Sequence, residues 1–395
     1  MCLETFTAAP LNVSLLRCPA YYQSHLGLHR VLPIKYAKTR IVKVGKYTQL
    51  PFQCNVKIKR GEQMSKSTLL INQEQVKSLL DIPTVLKIVE RVYRSHGEGK
   101  VIMPPKVTLD LGEHHTWPFY KAALNAMPAY LGDVDIAGIK WAGGFRDNEK
   151  IGLPFISAMI LLINPKTGAF IAVMDGAYIT AVRTGAASAV CTKVLARKDA
   201  SVLGIIGAGV QGRMHLRAFH QVFKFKEVRV IDIKEDVLEK YSREMKAELD
   251  LNILPKKSYK EVAEGADIVC TVTIADEPLV RKEWLKKGTL VVSAGSYQEL
   301  ETEVVLSADK IVVDNWAQAS HRGELAKLVE AGRLGQKNIH AEIGEILAEK
   351  KKGRERDDEN ILAVPIGLGS LDIACAFEVY QKALEKKIGT QFSFI

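Results

Sequence analysis

Six cysteines in 395 residues, at positions 2, 18, 54, 191, 270 and 375, include no CxxC pair. This excludes a disulfide framework and a zinc knuckle, and isolated cysteines suit a reducing cytoplasm. No uninterrupted apolar stretch approaches the ~18 residues of a membrane span. The histidines form no metal-ligand pattern. His215 and His220 are five apart on one expected helix, whereas positions sharing a helix face recur at three or four. His114 and His115 fall at an expected hairpin tip. No metal site is expected, and internal repeats and low-complexity segments are also missing.

Acidic residues are scarce in one region only. Residues 1–63 hold ten Lys/Arg against Glu4 and Glu62, so +8 of the net charge of +10 lies there. The rest of the chain is close to neutral, which argues against a nucleic-acid-binding body. The basic leader has no apolar core followed by a small-residue cleavage site, so it is not a secretory signal. A transit peptide is one reading of it. The preferred reading is translation from Met64, where MSKSTLLINQEQ looks like an ordinary protein start, with a dispensable, disordered leader before it.

The strongest positive signal is SVLGIIGAGVQGRMHLRAF at 201–219. An apolar strand pattern meets Gly207, Gly209 and Gly212, and a helix-compatible segment follows from Gln211. A second apolar run, 228–231, ends in Asp232. This is a dinucleotide-binding fingerprint between strand and helix. Gly207 permits the tight turn, Gly209 the approach of a pyrophosphate, and Gly212 close packing of helix on strand. The helix N-terminus offers free N–H groups to phosphate. Asp232 can accept from an adenosine ribose and disfavours a 2′-phosphate, so NAD is expected over NADP; Lys234 nearby softens that preference.

Around this stretch the chain alternates α and β. Helices are expected at 235–249 and 258–264, and strands at 267–273, 289–294 and 310–314. Strands separated by helices imply a parallel sheet with ligands at the strands' carboxyl ends. Thr271, Thr273, Gly295 and Ser296 are therefore expected along the cofactor crevice. The fold class is α/β: a Rossmann dinucleotide-binding domain at 191–330, and a discontinuous α+β domain made of 64–190 and 331–395.

The earlier part contains an amphipathic pattern at 73–97 that Asp81-Ile-Pro-Thr divides into two helices. Expected strands lie at 103–111 and 120–127, and an expected hairpin turns at 164–168. The stretch VDIAGIKWAGG at 134–144 is an apolar strand with Lys140 in the middle. A lysine there requires an anionic partner or a perturbed pKa, unless it snorkels to the surface. Arg183 and Thr184 lie near the start of an Ala-rich helix that leads into the glycine-rich loop. Arg183 suits a carboxylate or phosphate; pairing with a structural acid is the alternative. Residues 316–330 read as one helix, 349–360 as a solvated charge run, and 364–372 as a glycine-containing entry to a last helix.

The segments MPPKVTLDL, AMPAYL, GIKW, GLPF, AVMDGAYITAVRTGAASAV, IIGAGVQG, ADIVCTVT, KIVVD, HAEIGEI and IGLGSLDIA occur in this order. With them the chain resembles the ornithine cyclodeaminase/mu-crystallin family from about position 69 to 387. The resemblance implies a homodimeric enzyme that moves hydride between a nicotinamide and the α-carbon of a small amino or imino acid. It implies Lys106, Lys140 and Arg183 at the substrate, with Lys140 also relaying a proton. Arg183 would also lie near the cofactor, with Val210 and Gln211 at the pyrophosphate and Asp232 at the ribose. Three positions depart from the pattern. Tyr297 stands where the cyclodeaminase has a catalytic Asp, Asn125 replaces a charged residue, and Phe155 replaces a cofactor-contacting Thr. The expectation is an amino-acid dehydrogenase or ketimine reductase with a pocket altered at Asn125 and Tyr297. Ornithine cyclodeamination and a non-catalytic, mu-crystallin-like NAD(P)H-binding role are the alternatives.

Overall fold

The computed structural model describes residues 67–112, 117–275 and 277–394. The expectations for the leader, for a start at Met64 and for the His114–His115 tip lie outside them. The chain opens with β1 (Ser67–Ile71), α1 (Gln73–Leu79) and α2 (Ile82–Gly97). The division between the two helices is physical. Asp81 caps α2 through the Thr84 amide at 2.8 Å, and Pro83 occupies its first turn, where its missing N–H costs nothing.

Then come β2 (Val101–Ile102), β3 (Val107–Asp110), β4 (Ala122–Leu131), β5 (Ile136–Phe145), β6 (Ile156–Ile163) and β7 (Phe170–Asp175). The first sheet has the order β16-β1-β7-β6-β5-β4-β2, with β3 also paired to β4; β16 (Thr390–Ser393) is the last strand of the chain. Strand β4 runs through Pro128 to Leu131, beyond the stop expected at 127.

Period-two alternation gives this sheet two different faces. On one, Met127 pairs with Lys140 and Thr108 with Asn125, so Lys106, Thr108, Asn125 and Lys140 share a side. On the other, Val107, Leu109, Trp141 and Met159 are all at least half exposed.

Helix α3 (Ala177–Leu195) is buried almost all round and leads into the second sheet. This contains β8 (Val202–Ile206), α4 (Val210–His220), β9 (Glu227–Ile231), α5 (Glu235–Leu249), β10 (Ile253–Pro255), α6 (Tyr259–Ala263), β11 (Ile268–Thr271), β12 (Leu290–Ser293), α7 (Thr302–Leu306) and β13 (Lys310–Val313). After α8 (Trp316–Ala319) and α9 (Ala326–Glu330) come β14 (Ala341–Glu342), α10 (Ile343–Leu347), β15 (Ile361–Val364) and α11 (Gly369–Lys386). Sheet order is β10-β9-β8-β11-β12-β15-β13-β14, parallel throughout. Strand order reverses at β8/β11, where a doubly wound sheet opens its ligand crevice.

Three expectations change. The helix expected over 316–330 is two short helices, broken around Gly323, whose φ is +75°. Strand β13 does not adjoin β12. Strand β15, four buried apolar residues at the end of the charge run, slips between them. It thus brings part of the expected return segment into the second sheet. Nor is the charge run simply solvated: Glu359 is 2% exposed and sits 3.1 Å from the Lys310 ammonium.

Candidate active site

The glycine loop follows β8. Gly207 has φ +109°, and a Cβ there would meet the Val272 carbonyl oxygen at 2.9 Å. At Gly212 a Cβ would stand 2.1 Å from the Gly207 oxygen, so only glycine lets α4 start this close to the loop. Gly209 is the opposite case: nothing lies within 4 Å of a Cβ built on it, leaving open space before the backbone at the helix N-terminus. Val210 is exposed there, and the Gln211 Oε1 is buried with no hydrogen-bond partner among the described residues.

Asp232 ends β9 and closes the cradle. It accepts from the Ala208 amide at 2.8 Å and the Lys234 amide at 2.9 Å. Arg213 braces the loop from behind. It donates to the carbonyls of Ala208 and Gly209, pairs with Glu244 at 3.0 Å and lies over the Tyr241 ring. These residues fit a dinucleotide: open space before Gly209, an unpaired polar atom at Gln211, free N–H groups and a carboxylate after the next strand.

Helix α3 is held tightly against α4. A Cβ at Gly185 would collide with the Met214 oxygen at 2.6 Å, and Ser188 bonds His215 at 2.9 Å. His215 also bonds the Gln211 carbonyl at 2.8 Å, and burial lowers its pKa to about 4; it is a neutral structural histidine. This packing carries Arg183 towards the glycine loop.

Arg183 meets the two other members of a buried cluster there. Its Nε donates to Asp372 Oδ1 at 2.8 Å, and the Lys140 ammonium stands 2.8 Å from Oδ2, off the angle of a good hydrogen bond. The contact with Lys140 is therefore ionic. Lys140 is 1% exposed and Asp372 fully buried, so the lysine has an anionic partner and does not snorkel. Of the two alternatives for Arg183, the structure shows the pairing with an internal acid, and that acid also holds Lys140.

The placement follows from local rules. Strand alternation turns Lys140 inward with Ile136 and Gly138. A Cβ at Gly138 would touch Ile373 at 2.9 Å, so the glycine lets α11 approach β5. Asp372 lies in the first turn of α11, where the helix dipole favours a carboxylate. Burial would raise the Asp372 pKa, but Arg183 and Lys140 outweigh it and hold the group ionised. Burial, reinforced by Arg183, brings Lys140 down to about 8 despite Asp372. Lys140 also donates to the Thr180 hydroxyl at 3.3 Å.

A cleft of about 550 Å³ is lined by Lys106, Ser296, Tyr297 and Arg322 among others, and Lys106 lies near enough to Lys140 and Arg183 to feel their charges. Lys106 is partly exposed along its stem, while its ammonium end is enclosed and donates to the Ile366 carbonyl at 3.1 Å. Burial lowers its pKa, with Arg322 adding to the shift and Asp314 opposing it. Asp314, at the end of β13, is raised by the same burial; it accepts from the Gly367 amide at 2.6 Å, and its second oxygen is unpaired. Asn125 does not point at an open pocket alone: it accepts from Thr108 at 2.9 Å and from Arg322 at 2.7 Å. Arg322 also donates to Ser296 at 3.1 Å, and Tyr297 accepts from Arg146 at 3.4 Å.

Several expected crevice residues are engaged by the protein itself. Thr271 is fully buried in a strand covered on both faces. Thr273 gives its amide and hydroxyl to Glu299, at 2.8 and 2.6 Å. Thr273 nevertheless keeps its methyl beside the glycine loop, where a Cβ at Gly207 would meet it at 3.1 Å. Gly295 faces the same acid, since a Cβ there would meet Glu299 Oε2 at 2.9 Å. Thr184 donates to the Thr180 carbonyl of its own helix at 2.7 Å, leaving it only acceptor capacity. The residues not anticipated from sequence are Asp372, Asp314, Arg322, Arg213 and two buried acids, Glu299 and Glu324, the second accepting from the Glu299 amide at 2.9 Å. Of these, Asp372 carried a readable signal, an acid one turn into a glycine-led helix. Among the described residues no group of three or more His, Cys, Asp or Glu could hold a metal, and no helix is long and apolar enough to cross a membrane.

The family profile described as ornithine cyclodeaminase/mu-crystallin matches residues 66–387. Alanine dehydrogenase of Archaeoglobus fulgidus is 38% identical over 331 residues, 83% of this chain and 98% of that protein. An archaeal alanine dehydrogenase dimer with bound NAD superposes with a TM-score of 0.78 at 37% identity, covering 83% of this chain and all of that one. Thermococcus litoralis Δ1-pyrroline-2-carboxylate reductase, solved with NADH and L-proline, gives 0.77 at 37% identity over 82% of this chain and 99% of that one.

Proposed function

The chain belongs to the ornithine cyclodeaminase/mu-crystallin family, and we propose that it is an NAD(H)-dependent oxidoreductase acting on the C–N bond of a small α-amino or α-imino acid. The observation that carries this is the buried Lys140–Asp372–Arg183 cluster, whose Arg183 sits on the helix packed against α4, the helix that follows the glycine loop. A fully enclosed lysine with a pKa near 8 is costly as structure alone and suits proton transfer near neutral pH.

The glycine loop and Asp232 would hold the dinucleotide, whose nicotinamide would supply or accept the hydride when bound. In the reducing direction Arg183 and Lys106 bind the substrate carboxylate. Protonated Lys140 holds a proton at Nζ for the substrate nitrogen, which must be protonated before its carbon accepts hydride. Asp372 keeps that proton on Lys140 and fixes Arg183 by its Nε, leaving the outer guanidinium edge for the carboxylate. Enclosure of the cluster excludes water and so protects a hydrolysable imine. In the oxidising direction the same groups bind an amino acid, whose imine product water then hydrolyses.

The first sheet and its helices make up the substrate part and the second sheet the dinucleotide part. The chain is a homodimer in this reading, supported by the uncovered apolar face of Val107, Leu109, Trp141 and Met159 and by the dimeric archaeal relative. Buried free thiols at Cys191, Cys270 and Cys375 support a cytoplasmic setting.

The test is NADH oxidation with 2-oxo acids plus ammonium and with cyclic imino acids. Turnover of at least one is expected. Lys140→Ala abolishes turnover and leaves NADH fluorescence on binding largely intact. Silence across the panel with NADH bound would leave the binding-protein alternative standing, and proline formed from ornithine would establish cyclodeamination.

A further inference from the structure

Arg322 is the cation that the reading above does not use. It lines the cleft and is largely enclosed; burial depresses its pKa. Its bonds go to neutral oxygens, Ser296 Oγ at 3.1 Å and Asn125 Oδ1 at 2.7 Å. Among the described residues it has no carboxylate within ion-pair distance. An enclosed guanidinium without a counter-ion is costly unless a ligand supplies one.

The charges nearby do not supply it. Asp372 is shared by Lys140 and Arg183. Asp314 acts on Lys106, and its pKa is itself raised by burial. Four cations, Lys106, Lys140, Arg183 and Arg322, therefore face two internal carboxylates. One substrate carboxylate still leaves an unbalanced positive charge, and Arg322 is the cation placed away from the Asp372 cluster.

The two neutral partners also orient the arginine. Asn125 comes from β4 of the first sheet and Ser296 from the loop after β12 of the second. Bonds through Nε and Nη1 fix the guanidinium plane from both sides. The remaining N–H groups suit a planar carboxylate, which an arginine binds with two parallel bonds.

We propose that Arg322 anchors a second carboxylate, so that the substrate is an α-imino or α-amino dicarboxylic acid whose side chain ends in a carboxylate. This rests on the oxidoreductase reading, with Arg183 and Lys106 at the α-carboxylate and Arg322 at the distal one. Asn125 and Tyr297 then act on specificity through Arg322: Asn125 holds it, and Tyr297 forms the adjoining wall of the cleft.

The test has a kinetic and a binding arm. NADH oxidation with ammonium is compared for oxaloacetate, 2-oxoglutarate and pyruvate, in the wild type and in Arg322→Gln. A dicarboxylate is expected to have the highest kcat/KM. Its ratio to the pyruvate value should fall roughly 100-fold in Arg322→Gln, mainly through KM, and recover partly in Arg322→Lys. In the binding arm, succinate and propionate are titrated into the NADH complex and followed by nicotinamide fluorescence. Succinate should bind at least ~30-fold more tightly, and the difference should vanish in Arg322→Gln. A wild type that prefers pyruvate, or binds the two acids equally, overturns the proposal while the oxidoreductase reading stands. Loss of NADH affinity in Arg322→Gln with an unchanged substrate ratio also overturns it, placing the guanidinium on the dinucleotide. No turnover of any substrate, with succinate still preferred, overturns the oxidoreductase reading and leaves the second carboxylate site in place.

Discussion

Replacing Asp372 by Asn tests the centre of the mechanism with little change of shape. The amide retains an oxygen for the Arg183 Nε and removes the charge that two buried cations share. At 2.8 Å from Lys140 and an effective dielectric of about 20, the lost attraction is roughly 6 kcal/mol. Relaxation and water entry reduce it, and removing one member of a buried ion pair costs about 3–5 kcal/mol in practice. With about 1.4 kcal/mol per pKa unit, the Lys140 pKa should drop by roughly two to three and a half units from its value near 8.

The sign follows from the role. In the reducing direction Lys140 works protonated, so wild-type kcat/KM should fall as pH rises through about 8. In Asp372→Asn that alkaline limb moves to lower pH. Stability gives a second readout. An unfolded lysine titrates near ~10.4, so between the native pKa and that value the unfolded chain binds more protons and stability rises with pH. The variant enters this window at lower pH than the wild type. Its destabilisation, a Tm loss of roughly 5–10 °C, should therefore shrink as pH climbs towards 8. The assays are a pH series of NADH oxidation and of thermal melts, with NADH fluorescence as the check on folding. An alkaline limb that stays in place or moves up, in a variant that still binds NADH, would refute the assignment of Asp372 as the group that keeps the proton on Lys140.

Gly212→Ala forces a Cβ to within 2.1 Å of the Gly207 oxygen. It should cost about 1–3 kcal/mol of stability and weaken NADH binding far more than a surface substitution does, as read by fluorescence titration; normal affinity would contradict the cradle geometry. Asp232→Ser removes the charge expected to repel a 2′-phosphate and should raise the NADPH/NADH ratio of kcat/KM by roughly tenfold. Because Asp232 also holds the Ala208 amide, affinity for NADH should fall in the same variant. An unchanged ratio would remove Asp232 from the ribose site.

The parts legible in sequence were those set by local rules. Three glycines with fixed spacing, a strand before them and an acid after the next strand describe one βαβ unit, and each has a short-range steric or hydrogen-bonding reason. The same holds for the Asp81-capped helix and for Lys140, whose position in an apolar strand announced a need for a partner. Strand β15 was hidden because four buried residues followed a run of charges that reads as solvent-exposed loop. The run is held down by Lys310, Glu359 and Arg354, which bonds the Leu195 carbonyl at 2.7 Å, and no local pattern reports such contacts. For Thr271 and Thr273 the rule about strand ends indicates only which end of a strand faces ligand. It does not show that a buried acid, Glu299, already occupies the hydroxyl of Thr273.

The anion partner of Lys140 could not be read from its own neighbourhood, since Asp372 is 232 positions away. The segment that supplies it nevertheless has its own logic. Gly367 has φ +86°, and a Cβ there would stand 2.5 Å from Arg183 Nη1. Gly369 approaches the Met127 carbonyl of β4, where a Cβ would stand at 2.7 Å. Two glycines thus bring the backbone against the arginine and against the first sheet, and the helix that begins there presents Asp372 one turn later. The Gly367 amide also holds Asp314 at 2.6 Å. One short segment therefore fixes both internal carboxylates, one against Arg183 and Lys140 and one near Lys106. The four-cation site depends on this return of the chain as much as on the strand that carries Lys140. Substitutions at Gly367 should accordingly disturb substrate binding more than dinucleotide binding, because the glycine cradle after β8 is built from a separate part of the chain.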